Sequence, residues 1–203
     1  QRQMCIRDSI LLKSYRKAFS SRDDVLLFIK TSYIPARRTK WFEYKDFRDM
    51  IGKFKKKGNP EVILSEEQLT EQEIAGLYAA SSVYVSASRG EGFGLSFLEA
   101  LACGKPVIAP DWGGVRDFLN QENADMVECT PISSGEMGYE RERDKSSMMG
   151  EPDIRSLAEK MRMVYENYDS ALEKARRFEE VLPHYTWESI ARKFVNIIRR
   201  KIE

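Results

Sequence analysis

The stretch Val83 to Leu119, VYVSASRGEGFGLSFLEALACGKPVIAPDWGGVRDFL, decides the fold. Val83-Tyr84-Val85 is a β-branched and aromatic run of the kind that forms a short buried strand. Arg89-Gly90-Glu91-Gly92-Phe93-Gly94 follows, dense in glycine, which lets a ligand approach the backbone closely. A helix is predicted over Leu95 to Cys103, and Gly104 is placed to stop it. Lys105-Pro106 leads into a second apolar strand at Val107-Ile108-Ala109, and Gly113-Gly114 opens the next helix. Working outward, strands alternate with helical patterns along the chain, which predicts an α/β fold with a mostly parallel sheet flanked by helices.

A glycine-rich loop between the carboxyl end of a strand and the amino end of a helix is an anion site. The first-turn N–H groups lack intrahelical acceptors, and the helix dipole adds partial positive charge. Two carboxylates frame this loop, Glu91 within it and Glu99 on the helix. Carboxylates accept hydrogen bonds from hydroxyls and do not bind phosphate. The pattern therefore suits a ligand with phosphate in the middle and hydroxylated groups at both ends, which is the layout of a nucleotide sugar. The dinucleotide pattern G-x-G-x-x-G is not met, because Phe97 stands where the third glycine would fall, and no G-x-x-x-x-G-K-[ST] occurs.

Glu91 to Glu99, EGFGLSFLE, resembles the E-x7-E motif of retaining GT-B glycosyltransferases. The flanks Ser88-Arg89-Gly90 and Ala100-Leu101-Ala102-Cys103-Gly104-Lys105-Pro106-Val107-Ile108 are similar to the large family four of those enzymes. The likeness runs from about Ile10 to the end and implies the Rossmann-like C-terminal, donor-binding half of a GT-B fold. By resemblance, Glu91 contacts the donor sugar near the reacting carbon, as the catalytic carboxylate. The backbone of Gly92, Phe93, Gly94 and Leu95 approaches sugar and diphosphate, and Glu99 binds the ribose hydroxyls. The implied reaction is transfer of a sugar, with retention, from a nucleoside diphosphate sugar to an acceptor hydroxyl. No metal or other cofactor is implied, and no Asp-x-Asp pair occurs. The implied partners are the nucleotide-sugar donor and an N-terminal GT-B domain carrying the acceptor site.

Measured against the family, the half begins late. The usual first strand and its glycine loop would precede Ile10, and the arginine and lysine that neutralise the donor diphosphate have no match. In the family's strand order that first strand lies between the strands predicted at 25–29 and 83–87. The expectation is a sheet with a central gap, or one closed by direct pairing of those two strands. Two other readings stay open: a non-catalytic nucleotide-binding or scaffold module of the same fold, and a phosphate-using relative such as a sugar phosphorylase.

Composition predicts a soluble globular protein. The 203 residues are 42% hydrophobic and 32% charged, with a net charge of +1. No apolar run is long enough for a membrane-spanning helix. The three cysteines are too few and too dispersed for a disulfide framework or zinc site, which fits reduced thiols in a cytoplasmic setting. His184 is the one histidine and lies far from any nucleophile motif, and Cys103 reads as a packed thiol. Residues 1–60 hold 16 Lys and Arg against 6 Asp and Glu. This basic front leaves peripheral contact with an anionic membrane open, with a solvated helical face as the simpler reading. The lysines around Lys55 to Lys57 lack interleaved binding aromatics, which argues against nucleic acid.

Further elements follow in order. Residues 1–9, QRQMCIRDS, have no period, cap or glycine and read as an unrelated leader; 10–203 form the domain. A helix runs from Ile10 to about Ser20, a strand from Val25 to Ile29, and a helix from about Tyr44 to Lys57 with Phe47, Met50, Ile51 and Phe54 on one face. Val62 to Ser65 is a strand. Thr70 and Glu73 form a capping box ahead of a helix burying Ile74, Leu77 and Tyr78. Asp125 to Cys129 is the last strand and 130–150 an irregular polar loop. Asp153 caps a helix carrying Leu157, Met161 and Val164, another spans Ser170 to Phe178, and a terminal helix over 186–203 has an apolar stripe assigned to core packing.

Overall fold

A computed structural model describes residues 2–31, 44–133 and 147–202, the side chains of 2–8, 44–47 and 202 excepted. The order is α1 (Arg2–Ala18), β1 (Leu26–Lys30), α2 (Tyr44–Phe54), β2 (Glu61–Ser65), α3 (Glu71–Ala80), β3 (Tyr84–Val85) and α4 (Leu95–Ala102). Then come β4 (Val107–Pro110), a 3-10 turn (Gly113–Asp117), β5 (Asp125–Val127), β6 (Cys129–Ser133) and β7 (Met148–Pro152). The chain closes with α5 (Ile154–Glu166), α6 (Tyr168–Arg177), two 3-10 turns (Phe178–Glu180 and Leu182–Tyr185) and α7 (Trp187–Ile202).

The expected α/β architecture is present. Strands β3, β4 and β5 form one parallel sheet in that order, and β1 and β2 form a separate parallel pair. Among the described residues β1 and β3 do not pair, so the second expected outcome, closure by direct pairing of those two strands, is not seen there.

Side-chain alternation along the strands builds two cores. Ile108 on β4 and Val127 on β5 point to one face, where they join Leu27, Val62, and residues of α1, α2, α5 and α6 such as Tyr15, Phe54, Leu157 and Ala171. This cluster contains residues of both sheets and holds them together. Val107 and Ala109 alternate to the other face of β4. There they join Phe97, Leu101, Val115, Phe118, Met126 and Phe178. That second core lies under β3–β4–β5 only. On the corresponding face of the β1–β2 pair, Leu26, Phe28 and Ile63 are 51%, 39% and 37% exposed.

Polar contacts fix the helix ends. Thr70 and Glu73 make the expected capping box. Asp153 accepts from the Ser156 N–H at 2.7 Å to start α5. Asp23, just before β1, pairs with Arg162 of α5 at 2.5 Å. The buried Asp125 of β5 accepts from the Lys174 Nζ of α6 at 2.5 Å, so its charge is compensated inside the core.

Four expectations are corrected. Helix α1 starts at Arg2 and runs without a break into the segment expected from Ile10, since nothing in 2–9 stops a helix. The ends of the polar loop 130–150 pair as the antiparallel β6–β7 hairpin; residues 134–146 lie outside the described residues. Helix α3 buries none of its residues; Ile74 is 36% exposed, and Leu77 and Tyr78 are half-buried, because among the described elements α4 is the main one packed beside it. The apolar stripe of α7 is not in a core, and Trp187 is 87% exposed. Residues 32–43 and the Phe47 side chain also lie outside the described residues. His184 is exposed, and Cys103 is the half-buried C-cap of α4.

Candidate functional site

The site is built where β3 ends. The chain leaves Val85, passes Ser88 and Arg89, which are buried, and reaches the glycine loop and α4. Gly94 is the N-cap of α4 in the left-handed conformation, with φ of 92°. A side chain there would meet both strain and contact, since a Cβ would fall 2.7 Å from Val115 Cγ1. Among the described residues no side chain caps this helix. Its first N–H groups, at Leu95 and Ser96, have no acceptor within the helix and face the loop. Leu95 is 57% exposed, so the helix start opens to solvent.

The 3-10 turn supports the loop from the other side. The Gly114 N–H donates to the Glu91 carbonyl at 3.0 Å. A Cβ on Gly114 would fall 2.0 Å from the Gly92 carbonyl oxygen, so only glycine permits this approach. Phe93 turns its ring inward against Phe118 and Tyr185, at 5.1 and 5.9 Å between centroids, and leaves its backbone to the loop.

The predicted site residues occupy one continuous region. Glu91 is half-buried in the loop, Gly92 is exposed, and Gly94 and Leu95 form the α4 start. Glu99 is on the exposed side of α4. Its Oε2 accepts from the Tyr78 hydroxyl of α3 at 3.1 Å. Sequence reading took Tyr78 as a core residue and missed this role; only the pairing of α3 with α4 brings the two together. Burial raises the Tyr78 hydroxyl pKa well above the phenol range, and nearby Tyr84 and Glu99 add to this, so it stays a proton donor. Tyr84 is likewise raised by burial, and its hydroxyl donates to Ser96 Oγ at 2.9 Å. Stacked edge to face on Phe97 at 5.3 Å, Tyr84 ties the first turn of α4 to β3. Arg89, to which no role was assigned from sequence, is 4% exposed and ion-paired with Glu151 of β7.

This arrangement can hold an anion at the α4 start and hydroxyl groups at two carboxylates. Among the described residues no group of three or more His, Cys, Asp and Glu side chains is placed to share a metal ion. No described helix is long and apolar enough to cross a membrane.

Comparison with known proteins bears on the fold and the family. Among sequences, a probable sucrose-phosphate synthase of Thermosipho melanesiensis is 28% identical over 170 residues, covering 81% of this chain and 33% of that protein. A D-inositol 3-phosphate glycosyltransferase of Streptomyces bingchenggensis is 47% identical over 58 residues, 29% of this chain and 13% of that protein. Among structures, the sucrose-phosphate synthase of Thermosynechococcus elongatus superposes with a TM-score of 0.71 at 20% identity, over 100% of this chain and 43% of its own. Anabaena HepE, in complex with UDP and glucose, gives 0.69 at 15% identity, over 95% of this chain and 44% of its own. The chain thus spans a third of the first of these relatives and under half of both structures, and its fold is that of one part of a GT-B glycosyltransferase. The sequence model of the family described as "Family 4 Glycosyltransferase in conflict systems" matches residues 43–194, and this chain belongs to that family.

Proposed function

We propose that this chain is the donor-binding part of a retaining glycosyltransferase. The whole protein would transfer a sugar from a nucleoside diphosphate sugar to an acceptor hydroxyl. The observation that carries the reading is the spacing of Glu91 and Glu99 on either side of an uncapped, glycine-lined helix start. In this reading the Leu95 and Ser96 N–H groups and the α4 dipole receive the diphosphate. Glu99, held by Tyr78, accepts from the ribose hydroxyls. Glu91 accepts from sugar hydroxyls beside the anomeric carbon. As the glycosidic bond to the diphosphate breaks, negative charge grows on the leaving oxygen and positive charge on the sugar. Fixed amide dipoles stabilise the first and the Glu91 carboxylate the second, without reorganisation cost at the moment of reaction. The acceptor would bind to a further domain, of the kind that completes the length of the relatives.

Calorimetric titration of the chain with UDP, GDP and ADP tests the nucleotide half of this reading. One of the three is expected to bind, and Glu99→Gln to weaken it by about ten- to a hundredfold, the loss of charge-assisted hydrogen bonds to the ribose. Unchanged affinity in Glu99→Gln would contradict the assignment.

A further inference from the structure

The β6–β7 hairpin is an excursion from the sheet. The chain leaves β5 at Glu128 and returns at Asp153, whose N–H donates to the Glu128 carbonyl at 2.9 Å. With that contact closing its base, the connection from β5 to α5 is complete without the hairpin. The hairpin nevertheless reaches the glycine loop at several points. The Gly150 N–H donates to the Arg89 carbonyl at 2.8 Å. The Arg89 guanidinium is ion-paired with the Glu151 carboxylate, in a place where Arg89 has almost no contact with water. Gly90 packs at Met149, whose Cε would lie 3.4 Å from a Cβ at that glycine. Trp112, next to the 3-10 turn, lies directly against the Gly150 backbone.

We propose that this hairpin is a positioning element for the glycine loop, and that Arg89 and Glu151 are the pair that locks the two together. Glu91 lies between two anchors: the hairpin holds the residue pair just before it, at Arg89 and Gly90, and Gly114 holds its own carbonyl. A side chain whose peptide is fixed on both sides presents its carboxylate in one place, which is what a binding or reacting group requires. Arginine suits the lock because the planar fork of its guanidinium fits a carboxylate. The pair touches no substrate in this scheme and acts through the loop. The inference rests on the reading of the loop as the donor site.

Amide hydrogen exchange on the chain and on Glu151→Gln tests it, because the glutamine keeps the volume and removes the charge. Exchange at the Gly150 and Gly114 amides, which donate to the loop carbonyls of Arg89 and Glu91, is expected to rise about tenfold, the loss of one charge-assisted bond. Protection at Val107–Ala109 and Asp125–Val127 is expected to stay at the wild-type level. Unchanged exchange at those two amides would overturn the proposal, and so would a rise shared equally by them and the sheet, which is what a merely stabilising contact would give. Where a nucleotide among UDP, GDP and ADP binds the wild type, Glu151→Gln is expected to weaken it by about tenfold at an unchanged thermal midpoint, and equal affinity would overturn the proposal. A wild type that binds none of the three would count against the donor reading, while the exchange data would still decide the lock. Should Glu151→Gln fail to fold, Glu151→Asp, which keeps the charge and withdraws it by one methylene, is read in the same way.

Discussion

The β3–β4–β5 sheet and the β1–β2 pair share one hydrophobic cluster but are packed differently. Every residue of β4 and β5 is buried, with side chains going alternately to a core on each face. Among the described residues the β1–β2 pair has a core on one face, and its other face presents Leu26, Phe28 and Ile63. The glycine loop grows from the doubly covered sheet. In the proposed reading, the loop that receives the donor is thus attached to the doubly covered sheet, at its half-buried strand β3. Helix α7 extends the contrast. Its stripe of Trp187, Phe194 and Ile197 is 87%, 63% and 59% exposed among the described residues, although its periodicity is as regular as that of α5.

Paired truncations test the contrast most severely. Phe97 is fully buried in the second core, so Phe97→Ala is expected to cost about 3–5 kcal/mol in urea denaturation. Phe28→Ala, on the open face, is expected to cost less than about 1 kcal/mol. Equal costs would mean that the two sheets are covered alike. Gly114→Ala forces a methyl group into the Gly92 carbonyl, with an expected cost of roughly 1–3 kcal/mol. Its heavier effect should fall on nucleotide affinity, because the loop must move. Gly76→Ala, with open space around it, serves as the control.

Smaller effects sharpen the picture at its edges. Thr70→Ala removes the capping box of α3 and is expected to cost about 1 kcal/mol by thermal melt. Because α3 carries Tyr78, it should also loosen Glu99, visible as weaker nucleotide binding. The smallest effect concerns acid. Arg162, helped by the Ser20 N–H, lowers the Asp23 carboxyl from an ordinary 3.8 to about 2. A lowered carboxyl releases its proton more readily in the folded chain than in the unfolded one. Its contribution is therefore full above about pH 4 and is lost as pH falls toward 2. Asp23→Asn should flatten that part of the pH–stability curve, and an unchanged curve would show that the pair contributes nothing.

What was legible in the sequence was local. Gly94, Gly104 and the apolar runs on either side mark the strand–loop–helix–strand unit within a few residues, and Thr70 with Glu73 marks a helix start by itself. What was missed depends on distant pairing. Glu151 is 62 positions from Arg89, and Tyr78 is 21 from Glu99, so no periodicity links them. The β6–β7 strands contain Pro131, Gly150 and Pro152, poor strand formers whose pairing depends on the register of the hairpin. The stripes of α3 and α7 showed which face of each helix is apolar. Periodicity does not say whether another element covers that face.

The central claim is that the α4 start and its loop form a nucleotide site on the doubly covered sheet. Backbone amide shifts of the isotope-labelled chain, followed by nuclear magnetic resonance during titration with UDP, GDP and ADP, test it residue by residue. For one of the three, the largest shifts are expected at Gly92 to Ser96 and at Gly114, with the amides of β1 and β2 unmoved. Shifts concentrated on β1 and β2, or no movement at the α4 start with any of the three, would contradict the account.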